Sequence, residues 1–204
     1  MKLLEVHRAY KGRYLSTYVL KYLNNAGVIK RYEMVSRQGT TTFKGGEHEL
    51  LSELNIGSSN NAVILLVFDT SMTKMLLLRE YRMAVHDYVY NNVAGFIDEG
   101  ETPEQAAARE LQEETGLKLD KVIDVLPADF TCAPVTDMKT SLIVCTASGE
   151  PKHIIEANED TDPKWYTADE LDKLIRDENI AFSGRTKACL LYTSDAADDR
   201  ISVD

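Results

Sequence analysis

The stretch from Gly95 to Leu117, which reads GFIDEGETPEQAAARELQEETGL, constrains the fold of this chain more than any other. Thr102 can cap a helix, a proline follows it at the first helical position, and Gln105 completes a capping box. The alanines, leucine and glutamates that follow are good helix formers, and Gly116 can end the helix in the left-handed conformation. The pattern therefore predicts a loop, a helix from about Pro103 to Thr115, and a second loop.

Three glutamates of this helix, Glu110, Glu113 and Glu114, share one face because they lie three and four residues apart. Like charges there repel one another, and Arg109 is the only cation within the predicted helix. A hard divalent cation would turn this repulsion into attraction, and a few carboxylates with water and phosphate oxygens suit Mg²⁺ or Mn²⁺. The alternative is a solvated acidic helix face that binds nothing.

The spacing of the whole stretch is a glycine, five residues, a glutamate, seven residues, and then Arg-Glu-apolar-x-Glu-Glu-x-Gly-apolar. It occupies every fixed position of the Nudix box, so the chain resembles the Nudix hydrolases. The resemblance implies an α/β fold, an α/β/α sandwich with a mixed sheet. It also implies metal-dependent hydrolysis of a nucleoside diphosphate linked to another moiety, with Mg²⁺ as the cofactor and Mn²⁺ as a possible substitute.

The resemblance assigns roles to residues of the box. Glu110 and Glu114 are the implied principal metal ligands, and Glu113, close by, is a further ligand and a catalytic candidate. The backbone carbonyl of Ala94 is the remaining implied ligand. The implied structural supports are Gly95, which allows close backbone approach, the pair Glu101 and Arg109, and Gly116.

Residues outside the box resemble the ADP-ribose pyrophosphatase subfamily. Leu78 to Arg82 reads LREYR, similar to an element whose last arginine contacts substrate phosphate, which implicates Arg82. Further substrate contacts follow from the same resemblance, with Tyr14 and Tyr32 as stacking aromatics, Arg37 as a substrate-binding arginine, and Phe96 beside the box. Arg82 could also be a solvated charge at a strand end, and the two tyrosines could serve packing alone.

The general base and the substrate stay open. In related enzymes the base is often a glutamate of a downstream loop, and Glu156, Glu159 and Asp160 are the available carboxylates, of which we favour Glu159. Asn91 stands where the subfamily has a glutamate, which leaves room for another nucleoside diphosphate sugar. The alternatives are hydrolysis of GDP-sugars or dinucleotides, or a module that senses a nucleotide without cutting it.

Composition narrows the possible partners and the compartment. A net charge of −10 over 204 residues argues against a nucleic-acid-binding surface, although a metal and a few arginines can still bind phosphates. The sequence has no apolar run of about 18 residues, so we expect no membrane partner. Three cysteines, an odd number without metal-ligand spacing, favour a reducing cytoplasm.

The rest of the chain predicts strands around two helices. Residues 1–45 form a small antiparallel β unit, with strands Leu15 to Leu23 and Val28 to Ser36 joined by a turn, and by resemblance this unit makes a homodimer. Residues 46–188 form the catalytic domain, beginning with a linker at 45–60. Further strands are expected at 62–68, 75–81, 121–128, 139–146 and 164–166, and residues 88–93 lead into the box. A second helix, capped by Thr167, runs to about Arg176.

Residues 189–204 form a segment of a different kind. Cys189 to Asp198 reads CLLYTSDAAD, which resembles the translation of a sequencing-library adapter. We therefore expect an artefactual tail, and the alternative is an acidic disordered tail of the protein itself.

Overall fold

The structure is a computed structural model that describes residues 1–37, 41–42, 55–56, 62–155 and 160–199. Its elements are β1 (Lys2–Lys11), β2 (Leu15–Leu23), β3 (Ile29–Arg37), β4 (Thr41–Thr42), β5 (Asn55–Ile56), β6 (Ala62–Asp69), β7 (Lys74–Arg82), β8 (Asp87–Asn91), β9 (Ala94–Phe96), α1 (Pro103–Thr115), β10 (Lys118–Phe130), β11 (Lys139–Ser148), β12 (Ile154–Ile155), β13 (Asp160–Thr167), α2 (Ala168–Arg176) and α3 (Gly184–Asp199). The predicted linker at 45–60 lies outside the described residues, apart from the short strand β5.

The chain divides into two compact units. Unit 1 comprises Met1–Asn61 and Pro127–Thr140, and unit 2 comprises Ala62–Leu126 and Ser141–Asp204. The sequence did not indicate that the segment after β10 groups with the N-terminal strands.

Unit 1 contains the antiparallel sheet β1-β2-β3, which confirms the small N-terminal β unit and adds β1 to the two predicted strands. Asn24 builds the turn between β2 and β3, since its Oδ1 accepts hydrogen bonds from the backbone N–H groups of Ala26 at 3.0 Å and Val28 at 2.9 Å. Gly27 takes the left-handed conformation that this turn requires, with φ 75°. A small core of Val6, Tyr18 and Leu20, with Met34 packed against it, lies on one face of the sheet.

Unit 2 is built on a sheet with the strand order β10-β11-β6-β7-β13-β12, to which β8 adds on β7 and β9 on β6. Successive residues of a strand point to opposite faces, and β7 shows this alternation clearly. Leu76 and Leu78 belong to one buried cluster, whereas Met75 and Leu77 belong to another. Both faces of β7 are therefore buried, which explains why its sequence is a continuous apolar run.

Helices cover the two faces of this sheet. Ala107 and Leu111 of α1 lie in the cluster with Leu76 and Leu78, whereas α2 and α3 contribute Leu171, Ile175 and Leu190 to the opposite cluster. Two helix layers around one sheet form an α/β/α sandwich, as expected. Because each leucine that is removed from water contributes about 1.5–3 kcal/mol, the first cluster fixes α1 on its face of the sheet, and the second fixes α2 and α3 on the other.

Helix α2 follows its sequence signals, and α3 has no predicted counterpart. Thr167 and Glu170 form the capping box of α2, and the helix ends at Arg176 as expected. Helix α3 continues through residues 189–199, and Leu190 within it is buried. The origin of the segment 189–204 stays a prediction.

No helix in the described part of the chain has both the length and the apolar character needed to cross a membrane.

The turn between β6 and β7 is organised by Asp69. Its Oδ1 accepts hydrogen bonds from the backbone N–H groups of Thr73 at 2.7 Å and Lys74 at 2.8 Å, and its Oδ2 accepts one from the Ser71 hydroxyl. Burial alone would raise the pKa of Asp69, but these hydrogen bonds outweigh it and lower the pKa to about 2. The ionised carboxylate therefore stabilises the turn.

Replacing Asp69 with alanine should lower the free energy of unfolding by about 1–2 kcal/mol at pH 7, because four donors, including the Thr73 hydroxyl, lose their acceptor. The folded-state pKa lies below the usual value of about 3.9, so this stabilisation is complete above pH ~4 and disappears as the pH falls toward 2. Urea unfolding of wild type and Asp69→Ala at pH 7 and pH 2.5 measures both effects. An equal loss at the two pH values would contradict the role of the carboxylate.

Candidate active site

Helix α1 begins and ends at its predicted residues because local signals define both ends. The Thr102 hydroxyl accepts a hydrogen bond from the Gln105 N–H at 3.3 Å, and the Gln105 side chain accepts one from the Thr102 N–H at 2.9 Å. At the other end Gly116, with φ 72°, donates its N–H to the carbonyl of Gln112 at 2.9 Å. The three glutamates of the box are thereby held on a helix of fixed register.

Arg109 connects α1 to the loop that precedes it. Its Nε and Nη2 bind both carboxylate oxygens of Glu101, at 3.0 and 2.9 Å, and Nη2 also donates to the carbonyl of Phe96 at 2.7 Å. Its Nη1 donates to Glu110 at 2.8 Å and to Glu113 at 3.2 Å. The carboxylate of Glu101, followed by that of Glu110, raises the pKa of Arg109, so the guanidinium is a permanent charge at the centre of the loop.

Gly95 lies directly against the carboxylate of Glu110. A Cβ atom at Gly95 would stand 1.8 Å from Cδ of Glu110 and 2.0 and 2.2 Å from its two oxygens. Strand β9 pairs with β6 at this point, with Gly95 opposite Val63, so the backbone is fixed by the sheet. Only glycine leaves room for the Glu110 carboxylate to approach the backbone this closely. This close approach explains why the box has a glycine at position 95.

Glu114 lies deeper than Glu110, on the same side of α1. Burial, and then the charges of Glu80 and Glu110, raise its pKa well above the ordinary value. The N–H of Ala94 points to one of its oxygens at 3.4 Å, and the positive charge of Arg82 offsets only part of the effect. The fold thus holds the carboxylate of Glu114 near the like charges of Glu80 and Glu110. A cation bound beside Glu114 would offset this repulsion and stabilise the ionised carboxylates.

Glu80 is the member of this group that sequence reasoning missed. It is only 7% exposed, and its carboxylate forms an ion pair with Arg82 and accepts a hydrogen bond from Asn91 at 2.8 Å. The sequence does carry a signal for its burial, because Glu80 follows Leu76 and Leu78 at two-residue spacing on β7. The continuous apolar run of that strand, however, hides which of its residues face the same side. Arg82, which we expected to contact phosphate, has a side chain that is 48% exposed and is held by Glu80.

The candidates for the base are exposed, hydrogen-bonded to other side chains, or outside the described residues. Glu113 is exposed, with 60% of its side chain accessible, and it contacts Arg109. Glu156 and Glu159 lie outside the described residues. Asp160 accepts hydrogen bonds from the Tyr88 hydroxyl and from the His153 ring at 2.8 Å, which lower its pKa.

The substrate candidates of unit 1 separate into two groups. Tyr32 lines a cavity of about 480 Å³ together with Tyr22, Phe130 and Lys30, and its hydroxyl donates to the carbonyl of Pro134. Tyr14 and Arg37 are not among the residues that line this cavity. Tyr14 lies in the turn between β1 and β2 with the guanidinium of Arg13 over its ring at 5.2 Å, and Arg37 is the last residue of β3.

The box residues fit a divalent cation by their chemistry. No group of three or more His, Cys, Asp and Glu side chains among the described residues forms an assembled metal site. Glu110 and Glu114 nevertheless offer carboxylate oxygens only, the donors that a hard cation prefers, and the absence of a Cβ at Gly95 lets the Glu110 carboxylate lie against the backbone. The repulsion around Glu114 is relieved by added positive charge, so the donor set fits Mg²⁺ or Mn²⁺.

The NUDIX domain family matches residues 59–183, more than half of the chain. The chain belongs to the Nudix family. The resemblance that the box indicated is therefore confirmed, and the matched residues include β6 to α2 and with them the whole box.

Relatives within the family carry several different names. The chain is 34% identical to the NAD-capped RNA hydrolase NUDT12 of Homo sapiens over 122 residues, which are 59% of this chain and 25% of that protein. It is 27% identical to the ADP-sugar pyrophosphatase of Mus musculus over 140 residues, 69% of this chain and 58% of that one. It is 34% identical to the ADP-ribose pyrophosphatase of Escherichia coli over 113 residues, 50% of this chain and 52% of that one.

Solved structures confirm the fold of this Nudix protein. The crystal structure of an ADP compounds hydrolase matches with a TM-score of 0.71 at 19% identity, covering 100% of this chain and 98% of that one. Among the curated relatives described above, the chain spans between 25% and 58% of each protein's length.

Replacing Gly95 with alanine should displace Glu110 while preserving the fold, because the methyl group meets the movable end of a side chain. We expect an unchanged circular dichroism spectrum and an Mn²⁺ affinity at least about tenfold weaker, measured by calorimetry. Gly184→Ala is the matched control, since a Cβ atom there meets nothing within 4 Å. Wild-type Mn²⁺ affinity in Gly95→Ala would contradict the metal role of Glu110.

Proposed function

We propose that this Nudix protein hydrolyses the diphosphate bond of a nucleoside diphosphate linked to another moiety, with ADP-ribose or another ADP-sugar as its substrate. The observation that carries this proposal is the group of carboxylates beneath α1, in which Glu110 lies against Gly95 and Glu114 lies deeper beside Glu80. A divalent cation bound there is well suited to a diphosphate, which carries the opposite charge.

The proposed division of labour follows the positions of the side chains. Glu110 and Glu114, with the carbonyl of Ala94, would hold Mg²⁺, and Mn²⁺ could take its place. When bound, the cation would neutralise diphosphate charge and lower the pKa of a bound water. Arg82 would bind a substrate phosphate through its guanidinium, two residues from the buried Glu80.

A carboxylate must accept the proton of the attacking water. Glu159 is our proposed base, on the resemblance alone, and the exposed Glu113 is the described carboxylate of the box that could replace it. The attack would be in line with the bond that breaks, so water adds to one phosphorus and the other phosphate leaves. From ADP-ribose the products would be AMP and ribose 5-phosphate.

Two findings support an ADP-containing substrate. Two of the relatives are an ADP-sugar pyrophosphatase and an ADP-ribose pyrophosphatase. The cavity of unit 1 combines the aromatic rings of Tyr22, Tyr32 and Phe130 with Lys30 and Arg31, a lining that suits a planar base carrying negative charge nearby.

A second candidate substrate is NAD-capped RNA, because the relative NUDT12 is an NAD-capped RNA hydrolase with 34% identity. The same bond type would be cut, since the cap also contains a diphosphate. The net charge of −10 disfavours a long RNA, so we keep the absence of a nucleic-acid partner as our prediction. GDP-sugars and dinucleotides are further substrates for the same chemistry.

We also propose that the protein is a homodimer of the cytoplasm. Unit 1 exposes Met1, Val28 and Ile29 at one end of its sheet, where Lys2 and Ile29 both pair with Leu23, and these apolar side chains support an association surface. The cytoplasmic location rests on the odd number of cysteines.

Product analysis with Mg²⁺ against ADP-ribose, ADP-glucose, GDP-mannose, NADH and a short NAD-capped RNA tests the function. We expect the highest kcat/KM for ADP-ribose or ADP-glucose, and a loss of turnover of at least about 1,000-fold in Glu110→Gln and Glu114→Gln, because each removes a metal ligand. Glu104→Gln, an exposed position in the first turn of the same helix, is the matched control and should retain turnover.

Undiminished turnover in Glu114→Gln would remove the metal-ligand role. If the capped RNA were turned over fastest, the proposed substrate would change to NAD-capped RNA, and the proposed hydrolysis of a diphosphate bond would stand. Binding of nucleotide without hydrolysis of any compound would favour a sensing module.

The homodimer predicts a mass twice the 22.9 kDa of one chain by light scattering at micromolar concentration. Ile29→Arg should shift the protein toward monomer, because it places a charge in the apolar surface of unit 1. Ile155→Arg, at a similarly exposed isoleucine of unit 2, should leave the mass unchanged. A wild-type monomer would contradict the proposal.

A further inference from the structure

Glu80 occupies an inward position on β7 that the apolar clusters do not use. Leu76 and Leu78 face α1, and the two-residue period of a strand places Glu80 next on the same face. The residue is only 7% exposed, although a carboxylate is seldom buried without specific partners. Its partners therefore indicate what it does.

One oxygen of Glu80 binds two side chains. Oε1 accepts a hydrogen bond from Asn91 Nδ2 at 2.8 Å and forms an ion pair with Nη2 of Arg82. Asn91 of β8 pairs with Leu78 of β7, so its side chain lies on the same face of the sheet as that of Glu80. The Asn91 side chain reaches Glu80 diagonally across the two strands. Asn91 thus fixes the carboxylate of Glu80, and this carboxylate in turn holds the guanidinium of Arg82.

A further residue fixes Asn91. The hydroxyl of Thr186, at the start of α3, lies 3.0 Å from Oδ1 of Asn91 and 2.7 Å from Oδ1 of Asn92. Thr186 is fully buried, and its hydroxyl also lies 3.1 Å from that of Ser183. The amide of Asn91 is therefore held in the orientation that turns its NH₂ group toward Glu80.

This chain of contacts ends on Arg82, the residue proposed to bind phosphate. An arginine side chain has several rotatable bonds, and about half of this one is exposed, so it would lose conformational entropy on binding a ligand. A fixed carboxylate removes part of that cost in advance. The charge of Arg82 also acts on Glu114 and partly offsets the rise in the pKa of that carboxyl.

We propose that Glu80 is a positioning residue: held by Asn91 and Thr186, it fixes the guanidinium of Arg82 where a substrate phosphate binds. The inference rests on the proposed phosphate contact of Arg82, and it adds a reason for a buried glutamate on β7. Glu80 then acts on substrate binding through Arg82, in addition to the like charge that it places beside Glu114.

The test is a double-mutant cycle on steady-state kinetics with the best nucleoside diphosphate substrate and saturating Mg²⁺. Glu80→Gln, which keeps the shape but removes the charge, should raise KM roughly fivefold and change kcat by less than about twofold. Arg82→Ala should raise KM more, and adding Glu80→Gln to it should have no further effect. Asp172→Asn, which removes the charge from another carboxylate–arginine pair of unit 2, is the control and should leave KM unchanged.

The outcomes separate the two proposals. An unchanged KM in Arg82→Ala contradicts the phosphate contact itself. A raised KM in Arg82→Ala with a wild-type or lower KM in Glu80→Gln overturns the positioning role alone, as does an equal effect of Glu80→Gln in both backgrounds. A shift only in the Mg²⁺ concentration needed for activity would assign Glu80 to the metal and overturn the inference.

Thr186 gives an independent test should Glu80→Gln fold poorly. Thr186→Val keeps the side-chain volume and removes the hydroxyl, so KM should rise about twofold, while Thr186→Ser should restore it. No change in KM in a folded Thr186→Val protein would contradict the chain of contacts through Asn91.

Discussion

The carboxylates of Glu80 and Glu110 both oppose the ionisation of Glu114, which burial already opposes. Nothing in folding alone favours this arrangement, since a buried charge is stable only beside a compensating one. Arg109 and Arg82 supply part of that compensation, from opposite sides, through Glu110 and Glu80. The remaining repulsion makes the site ready for a cation, and the loop, helix and strands around it serve to keep the glutamates together.

The sheet of unit 2 determines which charges meet. Because β7 alternates between two buried faces, Leu76 and Leu78 anchor α1 and the next position on that face, Glu80, reaches the region below Glu114. On α1 the helical period places Glu114 one turn beyond Glu110, on the side next to the buried Leu111. The buried Leu111 and the two glutamates thus lie next to one another on α1. The apolar contacts that hold α1 on the sheet therefore also align the proposed metal ligands.

Local signals were sufficient to predict α1 from Thr102 to Gly116 to the residue, because caps act through neighbours in the sequence. Glu80 was not predicted because its partner Asn91 is held by Thr186 of α3, which is distant in sequence. Helix α3 was not predicted, although Ser183 at its start accepts a hydrogen bond from the N–H of Thr186 at 3.4 Å, which is a capping signal present in the sequence. Thr186 is also held by Asn91 and Asn92, which are distant in sequence. Family resemblance implied roles for Arg82 and for the glutamates of the box. Only the structure shows that the carboxylate of Glu80 holds Arg82.

Thermal unfolding of the metal-free protein and of Glu114→Gln, each titrated with Mg²⁺ or Mn²⁺, tests the central claim most directly. The repulsion predicts that Glu114→Gln unfolds about 2–4 °C higher than wild type without metal, because it removes a buried like charge worth about 1 kcal/mol. It also predicts that the metal raises the wild-type transition and has a much smaller effect on the variant. A variant that is less stable than wild type without metal, and equally stabilised by it, would contradict the account.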